Sequence, residues 1–301
     1  QLAAAVFENT DEAIMVTDHE NRIITVNPAF TRITGYLLEE TIGQTPNMLN
    51  SGRHDKAFFN DMWRTIKETG HWSGEIWNRR KDGRLYVEWL SVTAVRDLSD
   101  DHLHQNNEGS YVGTFSDITK RKEAEDLLRH KASHDVLTDL PNRGLFDDRL
   151  HLAISQAKRY QRSFALIYID LDHFKEVNDS LGHAAGDELL TMVAQRMNDC
   201  IRESDTLSRF GGDEFAAILS DVADLDEVRD VASRIVATLA EPFKLSRGNA
   251  EISGSVGIAI YPEHGNTAEQ LKDNADVALY NVKRNVRNAY RIYSSELNGI
   301  R

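Results

Sequence analysis

The chain has 301 residues, and its length, composition and charge exclude several classes of protein. The length is sufficient for two domains of about 150 residues each, and a hydrophobic fraction of 41% is ample for packed cores. A net charge of −13 repels nucleic-acid phosphates, so we expect no nucleic-acid partner. No apolar run is long enough for a membrane span or a signal peptide, so we expect a cytoplasmic protein whose membrane attachment, if any, lies outside this chain. Cys200 is the only cysteine, which excludes an internal disulfide and fits a reducing compartment.

The first 119 residues predict a small antiparallel sheet with short helices. The stretch IMVTDHENRIITV is typical of two strands joined by a polar turn, and AFTRITGY predicts a short helix that ends at Gly35. Two β-rich runs around a KDG turn in residues 72–97 indicate a hairpin. The polar stretch 98–110 predicts a loop, and YVGTFSDIT predicts the last strand of this region.

Residues 120–133 predict a helix that links two domains. The segment contains no glycine or proline and is rich in good helix formers. Leu127 and Leu128 belong to an apolar stripe near a spacing of 3.5 residues, which is short for a coiled coil. Two interpretations stay open, a solvated linker and a parallel coiled coil between two protomers, and we favour the coiled coil.

Helices and strands alternate in the rest of the chain, which predicts the α+β class for the whole. The continuous apolar run FALIYID is typical of a buried central strand. Apolar residues at helical spacing predict helices in GDELLTMVAQRMNDCI, DLDEVRDVASRIVATLAEPF and TAEQLKDNADVALYNVKRN, the last with a cap at Thr267. The segments SRF and FAAIL predict hairpin strands on either side of GGDE, and ISGSVGIAIYP predicts a further strand.

Acidic residues end the predicted central strand and occupy the tip of the hairpin. A carboxylate such as Asp170 at the end of a buried strand is unfavourable unless it is paired or binds a metal. If the hairpin lies beside that strand, Asp213 and Glu214 converge on Asp170, and three carboxylates suit Mg²⁺. Gly211 and Gly212 would let a large ligand approach the backbone closely. Because GGDE alone is also an ordinary turn sequence, the surrounding motifs decide between the two interpretations.

Four separated motifs carry a family resemblance: HDVLTDLPNRGLFDDRL, DLDHFKEVNDSLGHAAGDELL, RFGGDEF and ADVALYNVKRNVRN. Together they resemble the GGDEF domain of diguanylate cyclases, over about residues 134–293. The resemblance implies a central sheet flanked by helices, like that of nucleotide cyclases and polymerase palms. It also implies an enzyme that condenses two GTP into cyclic di-GMP and releases two pyrophosphates. Because each domain would hold one GTP, a homodimer is expected, formed through the first domain and the linker helix.

The resemblance implies roles for individual residues of the metal and guanine sites. Two Mg²⁺ or Mn²⁺ ions per GTP would be held by Asp170, the Leu171 carbonyl, Asp213 and Glu214, of which the three acids would be the catalytic residues. The guanine edge would be recognised by Asn178 and Asp187. Phosphate would meet the backbone amides of a turn at Phe174 and Lys175, beside Gly211 and Gly212.

Two further pairs of residues match the family's phosphate and inhibitory sites. Lys283 and Arg287 would hold the terminal phosphates, one helical turn apart and therefore on one face. Val286 replaces a glycine that is usual in this turn, which puts the grip of Arg287 in doubt. Arg202 and Asp205 match an inhibitory site at which cyclic di-GMP would bind as product.

The stretch FENTDEAIMVTDHENRIITVNPAFTRITGY resembles a PAS domain, over about residues 3–120. The segment WSGEIWNRRKDG is similar to PAS domains that bind flavin, with Arg53, His54, Trp63 and Asn78 as candidate ligand residues. FAD, haem bound through His54, and no tightly bound cofactor all stay open. We favour the last, because aromatic residues dominate cores in any case.

The expected organisation is a PAS domain at 1–119, a linker at 120–133, a GGDEF domain at 134–296 and a tail at 297–301. The start at Gln1 and the charged tail lead us to expect a fragment of a longer protein with a C-terminal EAL phosphodiesterase domain. The leading hypothesis is a sensor-regulated diguanylate cyclase. The alternatives are a silent GGDEF module that binds GTP or cyclic di-GMP and regulates the EAL domain, an interaction protein, and, least favoured, a cyclase that acts on ATP.

Overall fold

A computed structural model describes residues 2–95 and 109–300 and divides the chain into two compact units between Leu127 and Leu128. Each unit contains a five-stranded sheet with helices, which confirms the predicted α+β class. The predicted loop at 98–110 lies outside the described residues except at its last two positions. Within the described ranges, no helix combines the length and the apolar character that crossing a membrane requires.

The N-terminal unit contains an antiparallel sheet with strand order β2-β1-β5-β4-β3. Asn27 caps the second helix by accepting a hydrogen bond from the Phe30 amide, and Gly35 ends that helix, as the sequence predicts. The predicted hairpin is also present, as β3 and β4. The elements are α1 (Leu2–Asn9), β1 (Ala13–Thr17), β2 (Ile23–Val26), α2 (Pro28–Thr34), α3 (Leu38–Thr41), a 3₁₀ turn (Pro46–Leu49), α4 (Lys56–Thr69), β3 (His71–Arg79), β4 (Leu85–Val95) and β5 (Ser110–Asp117).

The predicted linker is a helix, α5 (Thr119–Ser133), which spans the boundary between the two units. None of its residues is buried, and Leu127 and Leu128 are 54% and 67% exposed. Two exposed leucines on a helix without a buried face fit the predicted contact with a second protomer. The coiled coil itself remains a prediction.

The C-terminal unit contains a sheet with strand order β12-β11-β6-β8-β7, so that the run FALIYID lies in the central strand β6, as predicted. The predicted cap at Thr267 is present on α10, where its side chain accepts a hydrogen bond from the Gln270 amide. The elements are α6 (Arg143–Tyr160), β6 (Ser163–Asp172), α7 (Phe174–Leu181), α8 (His183–Asn198), β7 (Thr206–Gly211), β8 (Glu214–Val222), α9 (Leu225–Ala240), β9 (Phe243–Leu245), β10 (Gly248–Ala250), β11 (Ser253–Tyr261), α10 (Ala268–Asn285), β12 (Ala289–Ile292) and a 3₁₀ turn (Ser295–Ile300).

Both faces of the central strand β6 are buried, because successive side chains point to opposite faces of a strand. Phe164 and Leu166 pack against α6 and α10 on one face. Ile167 and Ile169 belong to the larger core on the other face, with α8 and α9. This two-sided burial explains the continuous apolar run and leaves the end of β6, at Asp170, as the first place for a charged side chain.

Candidate active site

The turn between β7 and β8 lies beside the end of β6. In the antiparallel register, Asp170 lies opposite Glu214, and the Leu171 amide donates a 3.2 Å hydrogen bond to the Asp213 carbonyl. The structure therefore brings the backbones of the three predicted acidic residues together. The Leu171 carbonyl belongs to the same short segment of backbone.

Gly211 and Gly212 form the tip of this turn in conformations that favour glycine. Their φ angles are +136° and +54°, which side chains of L-residues rarely adopt. A Cβ atom built at either position would meet no other atom within 4 Å. The backbone conformation requires the two glycines, and the space outside the turn is open to a ligand.

The buried acid of this site, Asp170, is paired with the ammonium group of Lys283. Asp170 is 8% exposed, and its Oδ2 lies 2.5 Å from Lys283 Nζ. Burial raises the pKa of Asp170, the hydrogen bond and charge of Lys283 lower it, and the nearby Asp213 and Asp172 raise it further. The site thus favours positive charge at the Asp170 carboxylate, as a metal site does.

The available donors fit Mg²⁺ or Mn²⁺ in kind, since they are carboxylate and carbonyl oxygens. Their side chains are not gathered: the Glu214 carboxylate is 3.5 Å from the guanidinium of Arg143. Within residues 2–95 and 109–300, no three acidic, histidine or cysteine side chains are grouped closely enough to hold a metal ion. For the ions to bind, the pairs Lys283–Asp170 and Arg143–Glu214 would have to separate.

The predicted guanine-recognising pair spans two helices that pack closely. Asn178 lies on α7, and Asp187 is exposed in the early part of α8. A Cβ atom on Gly186 would come within 2.0 Å of Asn178 Oδ1, so the glycine leaves room for the amide. Sequence analysis missed Gly186, although a glycine inside a predicted helix is a signal of close packing.

Phe174 and Lys175 occupy the first two positions of α7. The preceding residue, His173, has φ +67°, and no side chain caps the helix. The first amides of a helix lack internal partners and attract anions. This location is compatible with the predicted contact between the backbone and phosphate.

The expectation that Lys283 and Arg287 share a helix face is wrong. Helix α10 ends at Asn285, and Arg287 and Asn288 follow it with φ angles of +48° and +44°. Val286 caps the helix with a negative φ of −133°, so the left-handed conformation falls on the next two residues instead of on the glycine position. Arg287 is therefore placed by a turn and not by helical spacing.

Asp172 holds this turn in place, a role that sequence analysis did not assign. Its buried carboxylate accepts hydrogen bonds from the hydroxyls of Ser253 (2.8 Å) and Ser255 (3.0 Å) and from the Asn288 amide (3.3 Å). It follows Asp170 by two residues and therefore points to the same side of β6. The spacing of two residues between Asp170 and Asp172 could have indicated from the sequence that both acids lie on the same side of the strand.

Arg209 supports the glycine turn from inside, and sequence analysis missed it as well. The side chain is 9% exposed and donates to the Gly212 carbonyl through Nε and Nη2, at 3.2 and 2.9 Å. Its Nη1 forms a 2.8 Å ion pair with Asp135. An arginine within a buried hairpin strand, two residues before Gly211, was the signal.

The predicted inhibitory pair is engaged within the protein. Asp205 accepts hydrogen bonds from the backbone amides of Arg202 (2.9 Å) and Ser220 (3.0 Å). The Arg202 guanidinium is paired with Glu227 at 2.6 Å. Asp205 thus shapes the loop before β7, and Arg202 would have to leave Glu227 to meet a phosphate.

The candidate ligand residues of the N-terminal unit divide into two groups. Trp63 and Asn78 line an internal cavity, whereas Arg53 and His54 do not. His54 Nε2 accepts a 2.9 Å hydrogen bond from the Trp77 amide, and the Arg53 guanidinium lies 4.1 Å from the centre of a Trp77 ring. The His54 Nε2 lone pair is therefore occupied and is not available to a haem iron.

Comparisons with known proteins identify the same two domains in this chain. The family model described as "Diguanylate cyclase, GGDEF domain" matches residues 132–289, and a PAS domain model matches residues 11–120. The chain is 44% identical over 172 residues to diguanylate cyclase TpbB of Pseudomonas aeruginosa, covering 57% of this chain and 39% of that protein. It is 46% identical over 180 residues to the bifunctional diguanylate cyclase/cyclic di-GMP phosphodiesterase MucR of the same species, covering 60% of this chain and 26% of that protein.

Solved structures of GGDEF domains resemble the C-terminal unit. The GGDEF domain of TpbB from Pseudomonas aeruginosa superposes with a TM-score of 0.54 at 42% identity, over 56% of this chain and 98% of that chain. The coiled coil and GGDEF domain of DgcB from Caulobacter crescentus, solved with cyclic di-GMP, gives a TM-score of 0.53 at 30% identity, over 59% and 93%. The chain spans well under half of the length of the two curated relatives, so these matches cover one part of each.

Proposed function

Because the chain belongs to the GGDEF family of diguanylate cyclase domains and carries a PAS domain before it, we propose that it is a sensor-regulated diguanylate cyclase. The proposed reaction condenses two GTP molecules into cyclic di-GMP and releases two pyrophosphates. The observation that carries the proposal is the register of β6 and β8, which sets Asp170 opposite Glu214 beside the open glycine turn.

In this proposal, Asp170, Asp213, Glu214 and the Leu171 carbonyl hold two Mg²⁺ or Mn²⁺ ions. When bound, the ions supply the positive charge that neutralises the triphosphate and assists the ribose 3′-hydroxyl of the partner's GTP as nucleophile. Lys283, released from Asp170, is then free to bind the terminal phosphates. Arg287 reaches the same phosphates from its turn after α10.

The remaining contacts of GTP come from the helices after β6. Asn178 and Asp187 offer an amide and a carboxylate to the guanine edge, which carries both donors and acceptors. The uncapped amides at Phe174 and Lys175 bind phosphate. The geometry at Gly186 supports this assignment, because the absence of a side chain there leaves room for the Asn178 amide.

We propose that the PAS domain and α5 bring two GGDEF domains face to face. The exposed Leu127 and Leu128 support a contact between two copies of α5. A chain without residues 1–119 is expected to lose dimerisation and most of its activity. Unchanged size in solution and unchanged activity would contradict the sensor role.

The direct test is to incubate the protein with GTP and Mg²⁺ and to separate the nucleotides by chromatography. The parent is expected to form cyclic di-GMP, and Asp213→Ala/Glu214→Ala is expected to form none. Asp221→Ala, at the other end of β8, is the matched control and should keep the parent's activity. GTP binding without product would instead favour the silent module. That alternative is supported by the similarity to cyclic di-GMP phosphodiesterase PdeR of Escherichia coli, which is 31% identical over 98% of this chain and 44% of that protein.

Product inhibition through Arg202 is proposed for the same enzyme. Arg202→Ala is expected to weaken inhibition by cyclic di-GMP about ten- to hundredfold, since a charged hydrogen bond to phosphate is lost. Arg229→Ala, which also removes an exposed arginine paired with an acid, is the matched control. Equal inhibition of the two variants would place product elsewhere. Asp205 is unsuitable for this test, because its carboxylate holds the local backbone.

A further inference from the structure

Two cations of the protein itself lie at the carboxylates to which the proposed function assigns the metal ions. Lys283 Nζ is 2.5 Å from Asp170 Oδ2, and the Arg143 guanidinium is 3.5 Å from Glu214 Oε2. A metal ion needs the same oxygen atoms as its ligands. The two side chains and the metal ions therefore compete for one set of carboxylates.

The pair at Asp170 is the stronger of the two, because it is better shielded from water. The side chain of Asp170 is 11% exposed, whereas that of Glu214 is 59% exposed. Water and salt screen an exposed ion pair strongly and a buried one much less. Burial and the negative charges of Asp213 and Asp172 raise the pKa of Asp170, and Lys283 lowers it. Lys283 therefore offsets negative charge that would otherwise attract a metal ion.

A second contact holds Arg143 close to Glu214. The central carbon of its guanidinium lies 4.8 Å from the centre of the Phe210 ring, and Phe210 directly precedes the glycine turn. A guanidinium over an aromatic face is attracted by the electrons of the ring. Arg143 is therefore a second competitor for the metal site, and a weaker one because both members of its ion pair are exposed.

A triphosphate alters this competition, because it offers the two cations other anionic partners. Lysine and arginine side chains both form strong charged hydrogen bonds with phosphate oxygen atoms. When Lys283 moves to a phosphate, the Asp170 carboxylate becomes available to a metal ion, and the phosphates add negative charge beside it. Binding of nucleotide and binding of metal at this site are then coupled, and the coupling has the same size in both directions.

We propose that Lys283, with a smaller contribution from Arg143, is an internal counter-ion that lowers the affinity of this site for divalent cations until a nucleoside triphosphate binds. The domain then takes up its metal ions together with the nucleotide and not before it. This inference rests on the metal site of the proposed function. It concerns binding alone and does not require that the enzyme turns over.

The test is titration of the whole chain with Mn²⁺ alone, followed by the loss of the electron paramagnetic resonance signal of free Mn²⁺. Lys283→Met is expected to bind Mn²⁺ about tenfold or more tightly than the parent, because it leaves a buried carboxylate without its cation. Lys283→Arg keeps the charge and should bind Mn²⁺ as weakly as the parent. Lys272→Met is the matched control, since Lys272 is paired with Asp147 at the same distance of 2.5 Å. The titration is done at pH 8, because loss of Lys283 removes an interaction that lowers the pKa of Asp170.

Arg143→Gln tests the second competitor in the same titration. It should tighten Mn²⁺ binding about two- to fivefold, since an exposed ion pair contributes little. Arg162→Gln breaks the exposed pair with Asp221 and is its matched control.

A second measurement separates a counter-ion from a residue that only maintains the structure. The α,β-methylene analogue of GTP, whose α–β bridge cannot be cleaved, is titrated calorimetrically in the presence of EDTA. Lys283→Met should weaken its binding about tenfold, because a charged contact with phosphate is lost. The same substitution thus acts with opposite signs on metal and on nucleotide, whereas damage to the fold would weaken both.

Three outcomes would overturn the proposal: equal Mn²⁺ affinity in the parent and Lys283→Met, an equal gain in Lys272→Met, or weaker binding of both Mn²⁺ and the analogue by Lys283→Met. Failure of the proposed function has a different signature. If the parent forms no cyclic di-GMP but the variants show the expected Mn²⁺ affinities, the reaction is contradicted and the counter-ion role is supported.

Discussion

Asp170 and Glu88 are buried carboxyl groups on inner strands of the two sheets, and they differ in how their charge is balanced. They are 8% and 2% exposed, and burial raises the pKa of each. Asp170 has the Lys283 ammonium at 2.5 Å and lies beside an open turn. Glu88 lies near the polar side chains of Tyr86 and Asn78, and no cation among the described residues contributes to its pKa.

The comparison shows that the charges near a buried carboxyl group decide its protonation and therefore its function. A buried carboxylate with a cationic partner stays charged and can exchange that partner for another cation. A buried carboxyl group without one is neutral over a wider range of pH. The first arrangement suits metal-dependent phosphoryl transfer, and the second makes the stability of the N-terminal unit depend on pH.

The largest expected effect is on activity when Asp170 loses its charge. Asp170→Asn should lower cyclase activity about 10²–10³-fold, because the charge that must hold cations against the triphosphate is removed. Initial rates of cyclic di-GMP formation would measure this. Asp221→Asn, at the far end of β8 and exposed, is the control. If Asp170→Asn keeps a tenth or more of the parent's rate, the charge of Asp170 is not needed to hold cations, and the proposed difference between Asp170 and Glu88 is wrong.

The second prediction concerns the pH dependence of stability at Glu88. Its pKa of about 7 in the folded protein lies above the ordinary value of 4.5, so unfolding between these values releases a proton and stability falls as the pH rises through this window. The free energy of unfolding of the N-terminal unit should fall by an amount on the order of 3 kcal/mol from pH 4.5 to 7, and Glu88→Gln should remove this loss. Urea unfolding can be followed by tryptophan fluorescence, because all four tryptophans lie in this unit.

Glu75→Gln serves as the control for that measurement, since Glu75 is partly exposed and paired with Lys122. It should keep the pH dependence of the parent. A flat profile in the parent would mean that Glu88 is ionised in the folded protein, and the comparison with Asp170 would then have to be abandoned.

A smaller effect is expected when a methyl group is added beside Asn178. Gly186→Ala should raise the KM for GTP about tenfold with a smaller change in kcat, because Asn178 must move away from the guanine. The helix itself should become more stable, since alanine is favoured over glycine by about 1 kcal/mol. In an Asn178→Ala background the same substitution should have little further effect. Additive effects of the two changes would remove Asn178 from guanine recognition.

The smallest effect is expected at the support of the phosphate-binding turn. Ser255→Ala removes one hydrogen bond to Asp172 without altering charge, and it should raise the KM for GTP about two- to tenfold. Asp172→Asn should act in the same direction and more strongly, because the carboxylate also holds the Asn288 amide. A fall in kcat alone would instead indicate that Asp172 acts on the reacting groups. Steady-state kinetics separate the two outcomes.

The sequence by itself determined the order and type of the elements and the family. Continuous apolar runs and helical spacing depend on neighbouring residues, so the central strand β6, the hairpin around GGDE and the Thr267 cap could all be predicted. The GGDE motif also located the acids, because antiparallel pairing brings a hairpin turn to the end of the adjacent strand. These features require few contacts between distant residues.

Only the tertiary structure decided how charges and space are shared between distant segments. The pairing of Lys283 with Asp170, the space that Gly186 leaves for Asn178, and the turn that carries Arg287 out of α10 all depend on how the elements pack. The same holds for the burial of Glu88 on β4 near Asn78 on β3. Local periodicity carries no information on such contacts, because each joins side chains brought together by packing, and packing also decides which of them water can reach.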